Sequence, residues 1–223
     1  MIGPGGAVHI IAIAGGSGVG KSSLAAALAD ALRPRTSVIL SEDDYYKDFS
    51  HVPGFDPCAC NFDEPGTKDH PRLAQDLKCL GRAQSIIRPA YAFATHSRRP
   101  RGVPVRAAEI VILEGQHVLF DAEVRSLVDL AVYLDVDADL RFIRRLQRDM
   151  TRRRRSVGSI VKQYLHTVRP SHHLYVDPSR AHADLILRES DEHDAAGMAA
   201  QHRAWSEAIH QALLVKQAAS AAQ

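Results

Sequence analysis

The stretch "GGSGVGKS", residues 15–22, decides how this chain folds. It fits the pattern G-x-x-x-x-G-K-[S/T], with Gly15, Gly20, Lys21 and Ser22 in register. Glycines let backbone N–H groups turn inward around a phosphate, because no Cβ blocks the turn. A helix that starts at the lysine points the positive end of its dipole at the same phosphate. Lys21 adds a full positive charge at the β/γ oxygens, and the Ser22 hydroxyl can ligate Mg²⁺. The expected nucleotide-binding set is Gly15, Gly16, Ser17, Gly18, Val19, Gly20, Lys21, Ser22 and Ser23. The flanks agree: "VHIIAIA" (8–14) is an apolar run of strand length, and "KSSLAAALADAL" (21–32) is rich in helix formers. Strand, glycine-rich turn and helix in that order make a P-loop.

Outward from the loop, strands and helices alternate. "TSVILS" (36–41), "EIVILEG" (109–115), "LAVYLDV" (130–136) and "ADLILR" (183–188) read as strands. Helices are expected over 71–81, 138–150, from about 156 to 168 with a stop before Pro170, and from about 194 onward. Asp137 can cap the helix 138–150, in which Leu140, Ile143, Leu146 and Met150 recur at helical spacing. Trp205, Ile209 and Leu213 share one face of the last helix and read as core. "QSIIRPAYAF" and "RGVPVRA" flank a basic turn, as a hairpin does, and 47–70 is a loop or substrate-facing insert. This alternation predicts an α/β fold, a doubly wound parallel sheet covered on both faces.

A P-loop by itself does not separate GTPases, motors, transporter ATPases and small-molecule kinases. Asn61 is the only asparagine and is followed by Phe62, and "TKDH" (67–70) ends in His, so the N/T-K-x-D guanine reader is missing. Asp63-Glu64-Pro65-Gly66 fits D-x-x-G but follows no strand, and no LSGGQ-type signature occurs. "IVILEG" ends a strand at Glu114, where P-loop proteins put the carboxylate that holds Mg²⁺ or its water. "SEDDYYKD" (41–48) follows another strand. Ligands of such sheets bind at the C-terminal strand ends, so the loop, the acidic triplet and Glu114 share one rim. A carboxylate there can accept the proton of an attacking hydroxyl; Asp43 is the candidate, with Glu42 or Asp44 facing solvent or capping the turn.

Composition narrows the setting. The chain has 223 residues and a net charge of +2, too mild to argue for nucleic acid. Cys58, Cys60 and Cys79 are too sparse for a disulfide framework, and Cys58-Ala-Cys60 has no second pair to complete a metal site. No apolar run reaches the ~20 residues of a membrane span, and residues 1–9 lack signal-peptide character. A cytoplasmic protein with no membrane or nucleic-acid partner is expected. The run "RRLQRDMTRRRRS" reads as a lid that excludes water from a phosphate rather than as a nucleic-acid patch, since Arg141, Arg145, Arg148 and Arg152 form one helical stripe.

Taken together, "GGSGVGKSS", "EDDYYKDFSH", "NFDEP", "YAFATHSR", "ILEG", "RRLQRD" and "QYLHTVRP" resemble uridine (uridine–cytidine) kinases in order and spacing, from about residue 8 to 188. The resemblance implies a P-loop kinase core of about five parallel strands, with a β-hairpin insert (about 84–106) over the acceptor site and an arginine-rich lid (about 149–158), all within one domain, 1–223. It implies transfer of the γ-phosphate of ATP or GTP, with Mg²⁺, to the 5′-hydroxyl of uridine or cytidine, by a homo-oligomer (tetramer or dimer). Asp43 matches the general base and Asp63 the aspartate that holds the ribose 2′- and 3′-hydroxyls. Phe62, Tyr91 and Phe93 match aromatic walls, with Tyr46 in the same acceptor set, and His96 matches the reader of the base edge. Arg145 and Gln163 match further nucleoside contacts. Lys21, Arg148 and Arg153 match cations over the transferring phosphate, and Ser22, Glu114 and Asp43 make the metal set. The chain departs from the family pattern at Glu64, Ala92, Gln116, His117, the all-arginine 152–155 and "LRESDEH". These departures keep open another sugar-hydroxyl acceptor, such as a modified nucleoside, a pentose phosphate or a vitamin riboside, and also a non-catalytic nucleotide- or RNA-binding protein.

Overall fold

The computed structural model describes residues 7–56, 60–189 and 195–221. Cys58, the 190–193 part of "LRESDEH" and the expected start of the last helix at 194 lie outside these residues. Five strands form one parallel sheet: β1 (His9–Gly15), β2 (Ser37–Ser41), β7 (Ile110–Gly115), β8 (Leu130–Asp135) and β9 (Leu185–Arg188), in the order β2-β7-β1-β8-β9. Every residue of β7 is buried, as a strand covered on both faces requires. On one face α1 (Lys21–Ala31) and α8 (Ala195–Ala221) contribute Leu24, Leu28, Trp205, Ile209 and Leu213; on the other, α2 (His70–Gly81) contributes Leu73, Leu77 and Leu80. Each such side chain is worth about 1.5–3 kcal/mol when withdrawn from water. Asp69 caps α2 by accepting from the Arg72 N–H at 3.2 Å.

Register places the site. Ser41 on β2 pairs with Glu114 on β7, and Ala14 on β1 pairs with Gly115, so the phosphate loop, the acidic triplet and Glu114 emerge from one edge. The expected hairpin is present as two short ladders, β3 (Ile86–Arg88) with β6 (Val103–Val105) and β4 (Tyr91–Ala92) with β5 (Ser97–Arg98).

Three expectations are corrected. First, α4 (Ala138–Thr151), which follows the short α3 (Ala122–Arg125), buries Arg141, Arg145 and Asp149 and leaves Ile143 and Met150 exposed. Its inner face lies over the phosphate loop and the end of β8, where polar atoms await the arginines: Arg141 Nε donates to Val136 O at 2.9 Å and Arg145 Nη1 to Ser17 Oγ at 2.7 Å. Asp137 stands at its N-cap without a side-chain capping bond. Second, the helix beginning at α5 (Val157–Gln163) does not stop before Pro170. It runs on through π-turns (Tyr164–Val168 and His172–Val176) and the short α6 (Arg169–Ser171) and α7 (Asp177–Ser179). Proline at a first helical position needs no donor, and wider turns around it relieve the ring clash. Third, Glu42 neither faces solvent nor caps a turn. It is fully buried, accepting from His70 Nε2 at 2.8 Å and the His117 N–H at 3.0 Å, while Asp44 pairs with Arg88.

Candidate active site

The phosphate loop leaves β1 at Gly15 and enters α1 through Gly20. Gly18 has φ +84°, and a Cβ on it would stand 2.3 Å from the Arg141 carbonyl oxygen, so no other residue fits under α4. Val19 turns its side chain into the core, and Ser22 and Ser23 are exposed in the first turn of α1. Lys21 Nζ donates to Gly15 O at 2.9 Å and Gly16 O at 3.0 Å. Burial lowers its pKa, against the pull of the Glu114, Asp43 and Glu42 carboxylates.

Beside the loop, Oε1 of Glu114 accepts from Ser41 Oγ at 2.7 Å and lies 3.3 Å from Ser22 Oγ. Burial pushes the Glu114 carboxyl up, with Lys21 opposing. Gly115 follows because a Cβ there would meet Glu42 Cβ at 2.4 Å. Asp43 lies in the 3₁₀ turn Glu42–Tyr45, and its Oδ1 is 2.5 Å from Lys68 Nζ. Burial raises the Asp43 carboxyl and Lys68 outweighs that, leaving it below the usual range.

A cavity of about 940 Å³ opens from Ser17 past Asp43 to the hairpin. It gathers all eight acceptor-site residues expected from the sequence: Tyr46, Phe62, Asp63, Tyr91, Phe93, His96, Arg145 and Gln163 line it, as do Arg148 and Arg153. Phe62 stacks on His96 with ring centroids 4.7 Å apart; Tyr46 packs against Tyr91 at 5.0 Å and Phe93 at 6.1 Å. Asp63 is buried, with Oδ2 accepting from Thr167 Oγ1 at 2.9 Å. Arg145 Nη2 reaches Gln163 Oε1 at 3.1 Å, and Arg155 Nη1 reaches the same oxygen at 2.6 Å. Gln116 lines the cavity, whereas His117 is buried against Glu42 and its pKa is lowered by burial.

Three contributors escape the sequence reading. Thr167 is one helical turn beyond Gln163, a spacing that is visible once Gln163 is singled out. Asp149 is fully buried amid Arg145, Arg148, Arg153 and Arg155, at 3.7, 2.9, 3.6 and 3.7 Å; a lone acid inside an arginine run, four residues from Arg145 and from Arg153, is its signal. Lys68 had no signal, since its partner Asp43 is 25 residues away.

Comparison with known proteins agrees with this geometry. The model of the phosphoribulokinase/uridine kinase family matches residues 10–196. The chain is 42% identical over 188 residues to a protein named uridine kinase from Lactobacillus helveticus (strain DPC 4571), covering 84% of this chain and 89% of that one. It is 39% identical over 187 residues to one of the same name from Geobacillus sp. (strain WCH70), with 84% and 89% covered. Among solved structures, a possible uridine kinase from Bacillus stearothermophilus superposes with a TM-score of 0.59 at 18% identity, covering 81% and 88% of the two chains. Phosphoribulokinase from Rhodobacter spheroides gives 0.55 at 13%, covering 81% and 70%; both share the P-loop kinase fold. The chain belongs to the phosphoribulokinase/uridine kinase family.

Proposed function

We propose that this protein is a nucleoside kinase that transfers the γ-phosphate of ATP to the 5′-hydroxyl of uridine or cytidine, in pyrimidine salvage. The observation that carries this is the continuous cavity from the phosphate loop, past Asp43, to an aromatic wall of Phe62, Tyr91 and Phe93 with Asp63 on its floor. The curated relatives named uridine kinase support the acceptor class. In this reading Asp43 takes the hydroxyl proton, Asp63 holds the ribose diol, and Lys21, Arg148 and Arg153 face the phosphate. Phe62, Tyr91 and Phe93 wall the base, and His96 reads its edge. The run 152–155 closes as a lid; the convergence of Arg153 and Arg155 on Asp149 favours that over a nucleic-acid face.

The rim suits Mg²⁺. Ser22 Oγ and the Glu114 carboxylate are hard oxygen donors 3.3 Å apart, with Asp43 on the same edge. When bound, Mg²⁺ supplies charge neutralisation at the β- and γ-oxygens. GTP serves the same loop as an alternative donor. From the family resemblance the reading also takes the chain as one domain acting as a cytoplasmic homo-oligomer.

A coupled assay with ATP, Mg²⁺ and a panel of ribonucleosides tests it. Uridine and cytidine are expected as the best acceptors, and His96→Ala should weaken both far more than it weakens ATP. No turnover of any nucleoside, or a preference for a sugar phosphate, overturns the reading.

A further inference from the structure

Lys68 is the buried cation that no role above uses. Its side chain is only 1% exposed. The backbone that carries it is pinned: Lys68 N–H donates to Pro65 O at 3.0 Å, Lys47 N–H to Thr67 O at 2.9 Å and Asp69 N–H to Tyr45 O at 2.8 Å, which lays Lys68 antiparallel beside Tyr46. From there Nζ makes two contacts at once. It lies 2.5 Å from Asp43 Oδ1 and 3.3 Å from the centre of the Tyr46 ring. Tyr46 is itself fixed by its hydroxyl, which donates to Phe62 O at 3.0 Å.

The burial of the pair is unequal. Lys68 is shut away from water, whereas the Asp43 side chain is 48% exposed. Lys68 depends on Asp43 more than Asp43 depends on Lys68, because an unpaired buried ammonium is costly and the Asp43 carboxylate still reaches water. What Asp43 gains is orientation. Oδ1 is taken by the ammonium, and among the described residues no hydrogen bond occupies Oδ2. A carboxylate held by one oxygen presents the other at a fixed angle, which an exposed carboxylate on its own does not do.

We propose that Lys68 is a positioning residue that clamps the Asp43 carboxylate by Oδ1 and the Tyr46 ring by its face, so that the proton-accepting oxygen and the aromatic wall of the acceptor cavity hold one fixed relative geometry. The proposal rests on Asp43 being the acceptor of the hydroxyl proton. Lys68 touches neither reacting atom; it acts through Asp43 for turnover and through Tyr46 for acceptor binding.

The test is a double-mutant cycle in the ATP and uridine assay, with thermal melting of each variant as a control. Lys68→Met should lower kcat at least ~10-fold and raise the uridine KM several-fold, with the ATP KM within about 2-fold of the parent. Lys68→Arg should recover most of the loss. Introduced into Asp43→Asn, Lys68→Met should cost less than about 2-fold further in kcat, because residues that act as a unit are not additive. An equal kcat loss in both backgrounds, or an equal rise of both KM values, marks Lys68 as purely structural and overturns the proposal. Normal turnover of Lys68→Met alongside a crippled Asp43→Asn overturns it while leaving the role of Asp43 standing. Near-normal turnover of Asp43→Asn removes the role of Asp43 itself. Should Lys68→Met fail to fold, Lys68→Gln replaces it in the cycle, with the same outcomes read the same way.

Discussion

Ser41 Oγ donates to Oε1 of Glu114 at 2.7 Å, and the same two residues are register partners on β2 and β7. The strand that carries the acidic triplet is thereby bonded at its tip to the carboxylate nearest Ser22. One hydroxyl aims Glu114, and the sheet register guarantees that it is in reach.

Glu114→Gln removes the anionic oxygen from that arrangement while keeping its shape. The Mg²⁺ concentration giving half-maximal rate should rise at least ~10-fold, since outer and inner partners of a metal site typically carry 10–100-fold in affinity. A titration of initial rate against Mg²⁺ reads this. A curve that superposes on the parent's would take Glu114 out of the metal set.

Asp63→Ala leaves the Thr167 hydroxyl without that carboxylate acceptor and, in the proposed reading, the ribose diol without a carboxylate. Selectivity for uridine over deoxyuridine should collapse toward parity, with kcat/KM for uridine falling ~10² or more. Competition between the two nucleosides measures it directly; undiminished selectivity places diol recognition elsewhere.

Asp149→Ala strips the shared counter-charge from Arg145, Arg148, Arg153 and Arg155. Losing one member of a buried charge cluster costs about 3 kcal/mol, so the midpoint of urea unfolding should drop clearly. The KM for ATP should rise as well if the proposed lid is right, because these arginines lose their common anchor. A stable variant with an unchanged ATP KM would show that these arginines organise without it.

Glu42 predicts a pH effect. Burial raises its carboxyl, but the His70 hydrogen bond and neighbouring positive charge outweigh that and hold it well below the usual carboxylate range. A pKa depressed by folding contributes stability that is fully present above the unfolded value, near 4.3, and is lost as pH falls below it. Urea midpoints should therefore decline from about pH 5 toward pH 3, and Glu42→Gln should flatten that acid limb. An unaltered slope in the variant would assign acid sensitivity to other carboxylates.

Much of this protein was legible from local pattern. The phosphate loop is written in eight consecutive residues, the five core strands in apolar runs, and the last helix face in the spacing of Trp205, Ile209 and Leu213. The helix α4 misled because its apolar positions Ile143 and Met150 point outward, and its burial is satisfied by arginines with polar partners, Arg141 at the Val136 carbonyl just past β8 and Arg145 at Ser17 on the phosphate loop.

The sequence by itself determined the chemistry available: a phosphate cradle, carboxylates at strand ends, aromatic residues and a run of arginines, each set by spacing within a few residues. Only the tertiary structure decided where each carboxylate is placed and what it pairs with. It buried Glu42 against His70 and His117, paired Asp44 with Arg88 and left Asp43 facing the cavity on the arm of Lys68. The physical reason is range. Backbone conformation and periodicity are settled by near neighbours, whereas the partner of a charged side chain 25, 75 or 104 residues away exists only after separate elements have packed.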